Sequence, residues 1–163
     1  MANLKDLRTR ITSIGNTMKI TSAMKMVSAA KLKKAQDAIQ SMRPYSEKLT
    51  EILQNVSASL SADENPFAQE REVKKVLLVL LTSNRGLCGP FNSSVTKAAI
   101  VRIAELKGAD VELMTIGKKA NDLFGKTGRI VATETDIWNH LKYENTDVIA
   151  EMLMEGYTSK RWD

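Results

Sequence analysis

The chain has 163 residues, 43% apolar and 26% charged, and its 24 Lys and Arg outnumber 19 Asp and Glu for a net charge of +5. That length allows one domain and a tail or two small domains, and the longest apolar run, Val76-Leu77-Leu78-Val79-Leu80-Leu81, falls far short of the about 20 residues a membrane-spanning helix needs. A single cysteine, Cys88, excludes an internal disulfide and fits a reducing compartment, and one Cys with one His cannot build a structural zinc site.

From the N-terminus the apolar positions Leu4, Leu7, Ile11, Ile14, Met18, Met24, Val27, Ala35, Ile39, Met42, Tyr45, Leu49, Ile52, Val56 and Leu60 recur mostly in steps of three and four. The spacing predicts one long coiled-coil helix over residues 1–60, about 85 Å at about 1.5 Å per residue, most of it standing away from any domain of the chain. Pro44, in Arg43-Pro44-Tyr45, predicts a kink and not an end, because the seam resumes at once. Residues 1–34 carry eight bases against one acid, a net of +7, while the rest of the chain sums to −2. A solvated face is the ordinary reading of charge on a helix. One-sign charge over several turns, without Glu partners four residues away, implies instead an anionic surrounding: nucleic acid, a lipid surface or an acidic protein sleeve. No compact apolar block suggests a secretory signal, and Asp6 together with the length of the seam argues against an organelle leader.

Residues 61–72, with Pro66, lose all periodicity and read as a linker. Beyond it, residues 73–163 predict a small α/β domain. Val76–Thr82 is a buried strand, Ser83–Phe91 a loop, Asn92–Lys107 a helix opened by an Asn/Ser cap, and Val111–Ile116 a second strand. Lys118–Phe124 is a short helix closed by Gly125 and Gly128, Arg129–Thr133 a third strand, and Asn145–Tyr157 a helix started by Asn145-Thr146-Asp147. Alternation of this kind predicts a parallel sheet with right-handed crossovers, a Rossmann-like layer structure. The alternation stops at Lys160-Arg161-Trp162-Asp163, where another strand should begin, and the long seam has no second helix to receive it. A fragment is expected, with the isolated chain self-associating through its N-terminal helix and through the sheet edge at Arg129–Thr133.

The strand-to-helix loop Thr82–Asn92 occupies the place where α/β proteins cradle phosphates. It has no Gly-Lys-Ser/Thr ending and no Gly-x-Gly-x-x-Gly, and Pro90 deletes an amide, so a tight turn or packing surface is expected, with no cofactor and no metal. Cys88 as nucleophile, with Arg85 lowering its pKa and His140 as base, lacks any identifiable group to orient the histidine. The methionines are seam filler by default. Met24-Lys25-Met26 beside Ser22, Ser28, Ala29 and Ala30 differs, because small and flexible side chains all round suit a helix that turns past several surfaces.

Leu4-Lys5-Asp6-Leu7-Arg8-Thr9-Arg10-Ile11, the stretch Asn16 through Leu32, Arg43-Pro44-Tyr45 and the Ser83–Asn92 loop together closely resemble the gamma-subunit family of F-type ATP synthases, over nearly the whole chain. The resemblance implies a non-catalytic central-stalk rotor that couples proton flow through the membrane sector to ATP chemistry in the head. It implies a helix inside a ring of alpha and beta subunits, a foot on the epsilon subunit and the membrane c-ring, and a peripheral place on the cytoplasmic face of a bacterial inner membrane, without insertion. Arg8, Lys19, Met24, Lys25, Met26 and Lys31 are expected to meet head subunits. Arg85, Gly86, Leu87, Cys88, Gly89, Phe91 and Asn92 are expected at the foot. Asn84 stands where the family usually has Asp, Pro90 where a Gly is common, and the cysteine pair of light-regulated chloroplast forms is missing, so no thiol switch is expected. Two other readings remain. A nucleic-acid binder would use the basic helix, but residues 1–44 offer no aromatic for stacking. A membrane-surface amphipathic helix would want a bulky apolar face, whereas this seam is thin and rich in Ala, Thr and Met.

Overall fold

The computed structural model describes residues 3–59, 65–67, 69–139 and 141–163, and the chain divides into two compact units at residues 61/62. The first unit is a single α-helix, α1 (Leu4–Ser59), 56 residues long, which continues through Pro44. None of its residues is buried, and even Leu49, the least exposed of its large apolar side chains, is 43% exposed. The apolar seam is therefore real as a pattern and uncovered as a surface. All four threonines of the first 21 residues turn their hydroxyls onto the helix itself. Thr9, Thr12, Thr17 and Thr21 donate to the carbonyls of Lys5, Arg8, Ser13 and Thr17 at 2.7–3.0 Å, the back-bonding available to hydroxyls four residues along a helix.

The second unit is an α/β sandwich on a three-stranded parallel sheet, β1 (Lys75–Leu81), β2 (Asp110–Ile116) and β3 (Ile130–Glu134), in the order β1-β2-β3. Its helices are α2 (Phe91–Glu105), α3 (Lys118–Phe124) and α4 (Tyr143–Thr158). Alternation along the strands sorts side chains to two cores. Leu78, Leu80, Val111, Leu113 and Ile130 pack with Ala99 and Ile103 of α2 and with Ala120 and Phe124 of α3. On the other face Leu77, Val79, Met114, Ile116 and Ala132 pack with Ile137 and with Ile149, Met152 and Leu153 of α4. Ile130 and Ala132 face opposite cores although two residues apart. The register explains this: Leu113 pairs with Ile130 but Met114 with Ala132, so Val131 is skipped as a bulge.

The boundaries of two helices, α2 and α4, differ from the sequence expectation for local reasons. α2 is capped by Pro90 with no side-chain bond, because Asn92 turns its Oδ1 to the Ser83 amide and Ser93 donates to the Pro90 carbonyl. α4 starts at Tyr143, ahead of Asn145-Thr146-Asp147, and Thr146 donates to the Tyr143 carbonyl at 2.8 Å from inside the helix. α3 ends at Phe124 as expected, with Gly125 as its C-cap. A 3-10 turn, Gly125–Thr127, carries on, and Gly128 at φ +70° ends it.

After α4 the chain returns to the start of β1 and is pinned there. Trp162 is buried and donates its Nε1 hydrogen to Glu112 at 2.8 Å, while the Arg161 guanidinium lies 4.9 Å from the Trp162 ring centroid. Asp163 Oδ2 accepts from the Lys74 and Lys75 amides at 2.9 and 2.8 Å, and the Asp163 amide donates to the Lys75 carbonyl at 2.9 Å. The bonds from Lys74 and Lys75, helped by the charges of Arg71 and Lys75, hold this carboxyl below its ordinary value of 3.8. Its stabilising contribution is complete above that unfolded value and is lost as pH falls through the lower folded one. Acid titration followed by circular dichroism should show this loss below about pH 4, and Asp163→Asn should remove that part of the pH dependence. An unchanged acid limb would show that the carboxylate does not hold the tail.

Candidate functional site

The carboxyl ends of the strands, where open α/β sheets usually receive ligands, are laced together by the protein's own groups. Thr82, fully buried after β1, accepts from the Ala120 amide at 3.0 Å and sends its own amide hydrogen to the Ile116 carbonyl at 2.7 Å. The Lys119 amide donates to the Ser83 carbonyl at 3.2 Å, and the Lys118 amide to Asn84 Oδ1 at 2.9 Å. Asn84 Nδ2 in turn donates to the Thr135 carbonyl beyond β3. The amides that open α3, which a phosphate would need, are thus consumed.

Asn84 bridges all three strand ends because an amide both donates and accepts; a carboxylate in its place would turn a negative oxygen on the Thr135 carbonyl. Asn84→Asp is expected to lower stability by about 1–3 kcal/mol, the penalty for a lost donor and an unsatisfied acceptor, read by urea unfolding. Stability equal to wild type would show that the loop accommodates either group.

The loop that follows is built by the same economy. Asn92 accepts from the Ser83 amide at 3.0 Å and donates to Ser83 Oγ at 2.9 Å and Cys88 Sγ at 3.0 Å. The half-buried thiol therefore sits among an amide, a hydroxyl 3.7 Å away and the Arg85 carbonyl. His140, its partner in the nucleophile reading, lies outside the described residues. Among the described residues no cluster of His, Cys, Asp and Glu could hold a metal ion. Packing turns the rest of the loop outward: Arg85 and Gly86 are exposed, and Leu87, at φ +62°, is 102% exposed, with Phe91 exposed beside the helix start. Leu87 thus holds an apolar side chain fully in water from a left-handed backbone conformation.

The expected head-facing residues Arg8, Lys19, Met24, Lys25, Met26 and Lys31 are all exposed on α1. At about 100° per residue, Arg8, Lys19 and Met26 share one face, Met24 and Lys31 lie nearly opposite, and Lys25 falls between, so the set surrounds the helix. None of the eight bases of residues 1–34 forms an ion pair among the described residues, where α1 contributes only Lys48–Glu51. What sequence reasoning missed is the bridging by Thr82 and Asn84. The departure at Asn84 was the one available signal, and its bonding partners lie 34 and 51 residues away.

The profile of the family described as ATP synthase matches residues 3–163. The chain is 56% identical over 164 residues to the ATP synthase gamma chain of Flavobacterium johnsoniae, covering 100% of this chain and 57% of that one. It is 52% identical to the gamma chain of Flavobacterium psychrophilum over 100% and 57%, and 42% identical to that of Geobacter sp. over 100% and 58%. The chain thus spans less than two thirds of the length of these relatives. Among solved structures it is similar in fold to a chain in the cryo-EM structure of Euglena gracilis mitochondrial ATP synthase, OSCP/F1/c-ring, rotational state 3. There the TM-score is 0.57 at 18% identity, covering 90% of this chain and 46% of that one.

Proposed function

We propose, from the premise that this chain belongs to the ATP synthase gamma-chain family, that it serves in the central stalk of the synthase as a non-catalytic rotor element. The observation that carries this reading is α1: 56 helical residues with none buried, a basic first half, and small or flexible side chains around Met24. Such a helix has a surface for partners on every side. Its mechanism is differential contact, in which an asymmetric shaft favours a different conformation in each surrounding beta subunit and rotation exchanges those preferences. The uncovered seam is the surface for a second helix, and in the isolated chain another copy of α1 would take that place. Lys25 and its basic neighbours suit acidic loops of the head. The exposed Arg85–Asn92 loop suits the foot, against the epsilon subunit or the c-ring. The laced crevice supports a subunit that holds no nucleotide itself. Among the described residues no helix is long and apolar enough to cross a membrane, in keeping with a peripheral place on a proton-driven membrane sector.

Copurification of the full-length protein from its source cell, with photocrosslinkers at Met24 and at Leu87, tests the proposal. Alpha and beta subunits should copurify, Met24 should label beta, and Leu87 should label epsilon or c. Labelling of head subunits alone from Leu87 would take the loop off the foot, and absence of alpha and beta would overturn the stalk reading.

A further inference from the structure

Of the linker expected over residues 61–72, the described residues 65–67 and 69–72 are bound onto the last turn of α4. The Phe67 ring stacks on Tyr157 with centroids 5.8 Å apart and planes at 21°, and the Arg71 guanidinium lies 4.2 Å from the centroid of the Tyr157 ring. Arg71 also donates to the Tyr157 carbonyl at 2.7 Å and to the Pro66 carbonyl at 3.5 Å, and the Tyr157 hydroxyl donates to the Gln69 carbonyl at 3.2 Å. Asp163 takes the amides of Lys74 and Lys75. A segment whose only task is to join two units needs none of this. Stacking, cation–π contact and charge-assisted bonds converging on one tyrosine are the way a chain is fastened.

We propose that residues 65–67 and 69–74 form a strap which fixes the point where the polypeptide leaves the α/β unit, so that force passed along the chain between α1 and the sheet is borne by the Tyr157 end of α4. The force-bearing part rests on the stalk reading; the strap itself does not. The physical reason is slack. Residues 60–74 released together could extend to about 50 Å, whereas residues 60–64 alone reach about 17 Å. A short tether transmits a displacement that a long one absorbs.

Two variants open the strap at different places: Phe67→Ala, at an exposed ring, and Tyr157→Ala, at its centre. Tyr157→Phe keeps both ring contacts and loses only the bond to Gln69. Limited trypsin digestion of the 163-residue chain should cut after Arg71 about tenfold faster in both alanine variants, with Tyr157→Phe near wild type and cleavage after Lys107 and Lys126 unchanged. Equal rates after Arg71 in wild type and Phe67→Ala would overturn the strap. In the assembled synthase carrying the full-length subunit, Phe67→Ala should lower ions pumped per ATP by about twofold while ATP hydrolysis persists. An unchanged ratio would overturn the force-bearing role and leave the stalk reading standing. Failure of the wild-type subunit to assemble would overturn the stalk reading and the force-bearing role together, with the strap still judged by the digestion.

Discussion

Gly117→Ala is expected to destabilise the α/β unit by about 3–5 kcal/mol, combining overpacking against backbone with a left-handed conformation forced on a residue with a side chain. Gly117 follows β2 at φ +104°, and a Cβ there would stand 2.0 Å from the Thr82 carbonyl oxygen, 2.7 Å from its carbon and 2.9 Å from Oγ1. A flexible side chain could swing aside. Here the obstacle is main chain, held because the Thr82 amide donates to Ile116 and the Gly117 amide to the Glu134 carbonyl, both at 2.7 Å. Relief would have to part all three strand ends at once. Urea unfolding followed by circular dichroism reads the loss, and a value under about 1 kcal/mol would show that the strand ends yield.

Gly156→Ala is expected to lower stability by about 2–4 kcal/mol and to expel an aromatic ring, through lost burial and a lost indole bond. Gly156 lies buried in α4, and a Cβ there would fall 1.7, 2.1 and 2.7 Å from three ring carbons of Trp162. The ring cannot share that volume. Its departure would break the Nε1 bond to Glu112 and free the tail that pins the first residues of β1. In a Trp138→Phe background, Trp162 fluorescence should shift to the red with the loss of stability. An unshifted spectrum at wild-type stability would show that the helix moves instead.

The elements were legible because each carries its own period. The run Val76–Leu81 announced β1, the three- and four-residue steps announced α1, and the alternation of strand with helix announced a parallel sheet. The boundaries slipped where a polar side chain had a better partner elsewhere. Asn92 reads as a cap until Ser83, nine residues back, claims it. The crevice was half legible: the missing phosphate-loop residues could be seen, but not that Thr82 and Asn84 take up the amides of α3, since those bonds span 34 to 38 residues. The bulge at Val131 and the fastening at Tyr157 left no local signature, because each depends on a neighbour that only the fold supplies.

The inward-turned hydroxyls of α1 bear on how such a helix could move. A shaft turning inside a sleeve must abandon every contact it makes, and each directional hydrogen bond surrendered together with others adds about 1 kcal/mol to the barrier of a step. About 1.4 kcal/mol slows a step tenfold. Thr9, Thr12, Thr17 and Thr21 have already committed their hydrogens to the carbonyls behind them. What they offer a passing surface is a methyl group, which attracts without choosing a direction, and an oxygen that can accept but not donate. On the proposed stalk reading, these four positions would add little adhesion of their own to a turning helix, where free hydroxyls would have given it donors to catch on.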